Sequence, residues 1–122
     1  MSEEKYWGYH LHLDCSGCDS ESIKSYQTIY DFSKELVIAI DMVPYGEPQI
    51  VNFGSGDKEG YTLIQLIETS NIAAHFVNEN NHIYLDVFSC KNFDQKVVKT
   101  LAVKYFGAKK MKKTFLRRQA PE

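Results

Sequence analysis

The sequence predicts an α+β domain: a two-layer sandwich in which an antiparallel sheet carries two helices on one face. Three observations lead there. Short runs with period-two hydrophobicity recur along the chain, and two longer stretches follow a period of 3.6 residues. The strand-like runs cluster instead of alternating with helices, and no internal repeat or low-complexity linker interrupts them. At 122 residues, 43% hydrophobic and 25% charged, the chain suits one domain spanning residues 1–122 around one core.

Each element has its own signal. YWGYHLHLD reads as a strand with Tyr9, Leu11 and Leu13 on one face and His10 and His12 on the other. Asp19 or Ser20 can cap a helix running to about Val37, with Ile23, Tyr26, Ile29 and Tyr30 on its buried stripe. A strand is expected at residues 48–53, followed by a Gly-rich loop. YTLIQLIE, NIAAHFV and HIYLDVFS are three further strands separated by turns, the second turn being NENN. Asn92 or Asp94 opens a second helix, whose Val97, Val98, Leu101 and Tyr105 share a face and whose end is marked by Gly107. KKMKKTFLRR is the last strand. A sheet covered on one face leaves the other unpartnered, so a dimer formed through the sheet is expected.

Composition narrows the functional classes. No apolar run approaches the ~20 residues of a membrane span, and MSEEKYW is too polar for a signal peptide, so a cytoplasmic protein is expected, with no membrane partner. Three cysteines without a secretory signal read as thiols in preference to a disulfide framework. Residues 1–69 hold 4 basic and 12 acidic side chains, a net of −8, whereas residues 70–122 hold 10 and 4, a net of +6. Six of the ten residues from Lys109 to Arg118 are basic. A basic edge strand guards against edge pairing, and that reading is preferred to nucleic-acid binding.

Three constellations carry possible chemistry. His10 and His12 followed by Cys15 and Cys18 are four potential zinc ligands, but histidines on one strand face are ordinary, CSGC serves a turn, and no metal is expected. Glu79 and Asp86 form an acidic pair across a hairpin, which by pattern is a hint at acid–base work or at simple turn polarity. Ser70, His75 and Cys90 are the most informative. If NIAAHFV is a strand, a hairpin returns Cys90 beside Ser70, and a hydroxyl, a base and a thiol converge at one end of the sheet. The alternative is a satisfied core histidine and a small buried thiol.

The blocks carrying these residues resemble the short prokaryotic type of S-adenosylmethionine decarboxylase proenzyme. H10-L-H-L-D-C-S-G-C-D19 is similar to that family's opening His-Leu strand with its acidic residue and Gly-Cys-Asp. T69-S-N-I-A-A-H-F-V-N-E79 lies over its central Glu-Ser-His-x-x-x-His-x-x-Pro-Glu, and D86-V-F-S-C-K91 over Asp-x-Phe-x-Cys-Gly. The intervals from serine to histidine and to cysteine are kept, at five and twenty residues. The likeness spans nearly the whole chain, with an apparent insertion around residues 54–59. Departures are Thr69 for glutamate, Asn71 for histidine, Val77-Asn78 for the aromatic-proline pair and Lys91 for glycine.

The resemblance implies a self-made cofactor. The Ser70 hydroxyl would attack the carbonyl of Thr69, and elimination would cut the proenzyme into a β chain of residues 1–69 and an α chain of 70–122 headed by a pyruvoyl group derived from Ser70. His75 would be the processing base and Thr62 a processing hydroxyl. The substrate amine of S-adenosylmethionine would form a Schiff base with the pyruvoyl ketone, lose carbon dioxide, and receive a proton from Cys90. Glu79 matches a ribose-binding glutamate, Phe53 stands where adenine would stack, and Asp14 is a further substrate-binding candidate. A homodimer of processed αβ units, serving spermidine and polyamine synthesis without a metal, is implied. Relatives acting on ornithine or arginine are the nearest enzymatic alternative, and an unprocessed, non-catalytic homologue is the alternative of another class.

Overall fold

A computed structural model describes residues 5–122. The elements run β1 (Gly8–Ser16), α1 (Tyr26–Ala39), β2 (Gln49–Phe53), β3 (Gly60–Ile67), β4 (Ser70–Val77), β5 (His82–Ser89), α2 (Gln95–Phe106) and β6 (Lys110–Arg118). The six strands form one sheet in the order β2-β3-β4-β5-β1-β6, antiparallel at every joint. The α+β architecture expected from the sequence is therefore the observed one. β6 is an edge strand, as its basic residues anticipated.

Alternation along the strands sorts side chains into two sets. Leu11, Leu13, Leu63, Ile72, Ala74, Phe76, Leu85 and Val87 are buried, and they form one core cluster with Ile29, Phe32, Leu36 and Val37 of α1 and Val98, Leu101, Ala102 and Phe106 of α2. Phe106 is its hinge pin: its ring lies 5.0 Å from that of Phe32 and 5.1 Å from that of Phe76. The intervening residues face away from the helices. His10, His12, Ala73 and Asp86 are half-buried there, and His75 and Tyr84 are exposed.

The first helix departs from its expected start. Asp19 accepts from the backbone N–H and hydroxyl of Ser22, which closes only a single 3-10 turn over Ser22–Lys24. The α-helix begins after Ser25, whose hydroxyl accepts from the Thr28 N–H. Ile23 is thus buried outside the helix, and the helical phase is reset. Tyr26 is consequently exposed, Tyr30 is half-buried, and the stripe runs through Ile29, Phe32, Ser33, Leu36 and Val37.

The second helix follows expectation closely. Asp94 caps it by accepting from the Lys96 N–H, and Gly107 ends it in the left-handed region at φ 64°. Its fully buried aromatic is Phe106, with Tyr105 half-buried beside it. At the head of β3, Gly60 permits a close backbone approach: a Cβ there would lie 1.7 Å from the Phe76 carbonyl oxygen.

Candidate active site

The turn between β3 and β4 is only two residues long, Glu68 and Thr69, because Ile67 already pairs with Ser70. On the other side of β4, Ser70 pairs with Ser89, which carries Cys90 to a place beside Thr69. The Cys90 N–H donates to the Thr69 carbonyl at 3.0 Å. A hydrogen bond to a carbonyl oxygen polarises the carbon and stabilises negative charge that develops there on attack. Three residues named from sequence, Thr69, Ser70 and Cys90, are therefore brought together. The Cys90 side chain is exposed and Ser70 is half-buried at the first position of its strand.

Residues absent from the sequence reading complete this cluster. Buried Ser89 donates from its hydroxyl to the Thr69 hydroxyl at 2.8 Å, and the Thr69 hydroxyl lies 3.3 Å from the Met42 sulfur. Lys91, standing where the resembled family has glycine, donates from its backbone N–H to Ser89 Oγ at 3.0 Å. Its ammonium spans to Asp41, 2.8 Å from both the carboxylate and the backbone carbonyl. Burial at Ser89 was foreshadowed by its place in the period-two run of β5. Nothing in the sequence pointed to Met42 and Asp41, which arrive from the loop after α1.

A second cluster forms at the opposite end of the sheet. Thr62 and His75 are direct cross-strand partners, and the hydroxyl meets His75 Nδ1 at 3.2 Å. A cavity of about 320 Å³ lies over them, with Phe53, Tyr61 and Tyr84 among its walls. Phe53 is exposed, consistent with a ring available for stacking. Glu79 is exposed in the turn that follows β4, and Asp14 is exposed on β1, where it pairs in register with Tyr84.

The expected convergence of Ser70, His75 and Cys90 within one chain is not observed. Five residues of strand separate His75 from Ser70, about 17 Å at the usual rise, and an odd interval puts them on opposite sides of the pleat. His75 instead joins Thr62 and Phe53. The zinc constellation is divided by the same alternation, since Cys15 and Cys18 are buried while His10 and His12 face outward. Burial pushes the Cys15 thiol up to about 12 and the Cys18 thiol to about 11, so both are protonated and unfit as ligands. Asp86 does not pair with Glu79; it faces His12, with 3.4 Å between Oδ1 and Nδ1.

Comparison with known proteins bears on this arrangement. Residues 9–119 match the sequence profile of a family described as S-adenosylmethionine decarboxylase. The chain is 30% identical over 95 residues to the S-adenosylmethionine decarboxylase proenzymes of Clostridium botulinum strains Langeland and Okra, covering 77% of this chain and 78% of theirs. Its fold is similar to the crystal structure of the adenosylmethionine decarboxylase from Aquifex aeolicus VF5, with a TM-score of 0.80 over 98% of this chain and 96% of that one. Sequence identity to that structure is 20%, so this likeness speaks for the fold.

Proposed function

The chain belongs to the S-adenosylmethionine decarboxylase family, and from that premise we propose that it is a pyruvoyl-dependent enzyme that cuts itself between Thr69 and Ser70 and decarboxylates S-adenosylmethionine. The product would serve spermidine synthesis. The observation that carries this reading is the Cys90 N–H on the Thr69 carbonyl, beside the Ser70 hydroxyl. In processing, Ser70 Oγ attacks the Thr69 carbonyl carbon, and the Cys90 amide stabilises the oxyanion that forms there. The amide becomes an ester, a base removes the Ser70 α-proton, and elimination releases Thr69 as a carboxylate.

The pyruvoyl group left at Ser70 supplies an electrophilic carbonyl conjugated to an amide, a sink for the electrons freed as carbon dioxide departs. The Cys90 thiol, exposed next to that position, delivers the proton that replaces the lost carboxylate. Glu79 accepts hydrogen bonds from the ribose hydroxyls, Phe53 stacks on the adenine, and Asp14 contributes to the substrate's polar surroundings. Glu79 favours the nucleoside substrate over ornithine or arginine, which offer no ribose. No metal takes part in these steps.

His75 cannot reach the Ser70 of its own chain, and this geometry favours a dimer built through the outer sheet face. A two-fold axis exchanges the two ends of the sheet, so Thr62, His75, Phe53 and Glu79 of one copy would complete the site begun by Ser70 and Cys90 of the other. That face carries exposed Val51, Phe53, Leu66, Tyr84 and Leu116, apolar surface suited to burial against a second copy. Carbon dioxide release from S-adenosylmethionine, ornithine and arginine tests the substrate. Release from S-adenosylmethionine alone is expected, and release from a basic amino acid alone would assign the chain to the other branch.

A further inference from the structure

We propose that His10, His12 and Asp86 bind a divalent transition-metal ion of the zinc type on the outer face of the sheet, an ion that takes the place of the Arg118 guanidinium. None of these three side chains has a part in the processing or decarboxylation steps above. One ligand atom from each lies within 4.8 Å of the other two, and no ion is present.

The arrangement follows from the strand register. His10 and His12 are two residues apart on β1 and so share a face, and Asp86 of β5 is the direct cross-strand partner of His12. β1 and β5 are both interior strands, so the three side chains stand on backbone held from both sides. The imidazole rings of His10 and His12 are 4.3 Å apart.

Distances favour coordination over simple hydrogen bonding. Asp86 Oδ1 and His12 Nδ1 are 3.4 Å apart, long for an N–H···O bond, whose usual length is about 2.9 Å. Two ligands at about 2.0–2.1 Å from a tetrahedral ion are separated by about 3.4 Å. His12 Nε2 is buried without a hydrogen-bond partner, so the metal-free cluster is under-satisfied. Two imidazoles and a carboxylate are the donor set of zinc and its neighbours, with a fourth position left for water or a group on a facing copy.

Arg118 shows where the cation sits. Its Nη1 is 3.1 Å from His10 Nδ1, and because a guanidinium only donates, that nitrogen must present a lone pair. The same lone pair is the one a metal needs. Burial and the neighbouring His12 hold the His10 imidazole below its ordinary pKa, which keeps it neutral and ready to ligate near pH 7. Asp86 acts against that shift and Arg118 adds to it. Arg118 already packs over the Phe88 ring at 5.1 Å, a position it can keep when its hydrogen bond to His10 is given up.

The test is titration of chelator-treated, full-length protein with cobalt(II), read by visible absorption, and with zinc(II) in competition with a chromogenic chelator. One ion per chain is expected, with cobalt d–d bands and no thiolate charge-transfer band. His12→Gln and Asp86→Asn, both close in size to the native residues, should each weaken binding about tenfold or more, while Arg118→Gln should tighten it. Ser70→Ala protein should bind equally well, which separates this site from the proposed cleavage. Absence of saturable binding, a thiolate band, wild-type affinity in His12→Gln, or unchanged or weaker binding in Arg118→Gln would each overturn the proposal.

Discussion

Cys90 has two separable roles in this account, one from its backbone and one from its side chain. The amide holds the Thr69 carbonyl at 3.0 Å, and alanine retains that amide. Cys90→Ala is therefore expected to cut itself while turning over about 10²–10⁴-fold more slowly, the range for losing a positioned proton donor. Gel analysis and single-turnover kinetics on the same preparation check both halves; normal turnover would remove the thiol from the mechanism. Ser70 and Cys90 were legible in sequence because their twenty-residue interval spans one hairpin, whose register is set by alternation. His75 was legible as a functional residue but not as a neighbour of Ser70: its odd interval already implied the opposite side of the strand. The supports under Thr69 were not legible, since Met42 reaches it through tertiary packing across twenty-seven residues of chain.

At the scale of elements, the strands were readable and the first helix only in part. Period-two runs map directly onto buried and exposed faces, so β3, β4 and β5 stand close to where the pattern put them. The helix was misphased because Asp19 has the chemistry of a cap and does cap, but it caps a 3-10 turn that ends at Ser25. Local sequence cannot distinguish the two, because what decides is the burial of Ile23 in the core outside the helix. The helix layer is held to the sheet by Phe106 between Phe32 and Phe76. Phe106→Ala should cost about 3–5 kcal/mol through the lost transfer energy and the cavity left behind. Urea unfolding monitored by circular dichroism measures it, and a loss below about 1 kcal/mol would mean that this contact is not central to the core.

At the scale of the whole molecule, the sheet order determines what self-cleavage would do to the fold. Cutting after Thr69 would put β1, β2 and β3 on one chain and β4, β5 and β6 on the other, yet β1 lies between β5 and β6. The two products would be interleaved, not merely adjacent. The opposite net charges of the segments, −8 and +6, add an attraction that salt screens, whereas the interleaved ladders are insensitive to salt. The chains should therefore co-elute from a sizing column at 1 M salt and separate only in denaturant. Separation by salt alone would show that charge, not the shared sheet, holds them.

The division of the site between the two sheet ends also makes a prediction that one chain cannot satisfy. His75→Ala and Ser70→Ala proteins should each remain uncut alone, but co-expression should restore cutting of the His75→Ala chain, because its intact Ser70 would meet the partner's base. Failure to restore it, with mixed dimers demonstrated by native mass spectrometry, would argue against a site shared across the two-fold. The most direct measurement of the central claim is the intact mass of the purified wild-type protein, with and without a carbonyl-trapping reagent. The account predicts two chains divided between Thr69 and Ser70, with the reagent adding only to the chain that begins at position 70. A single species at the full 14.1 kDa, unaltered by the reagent, would contradict it.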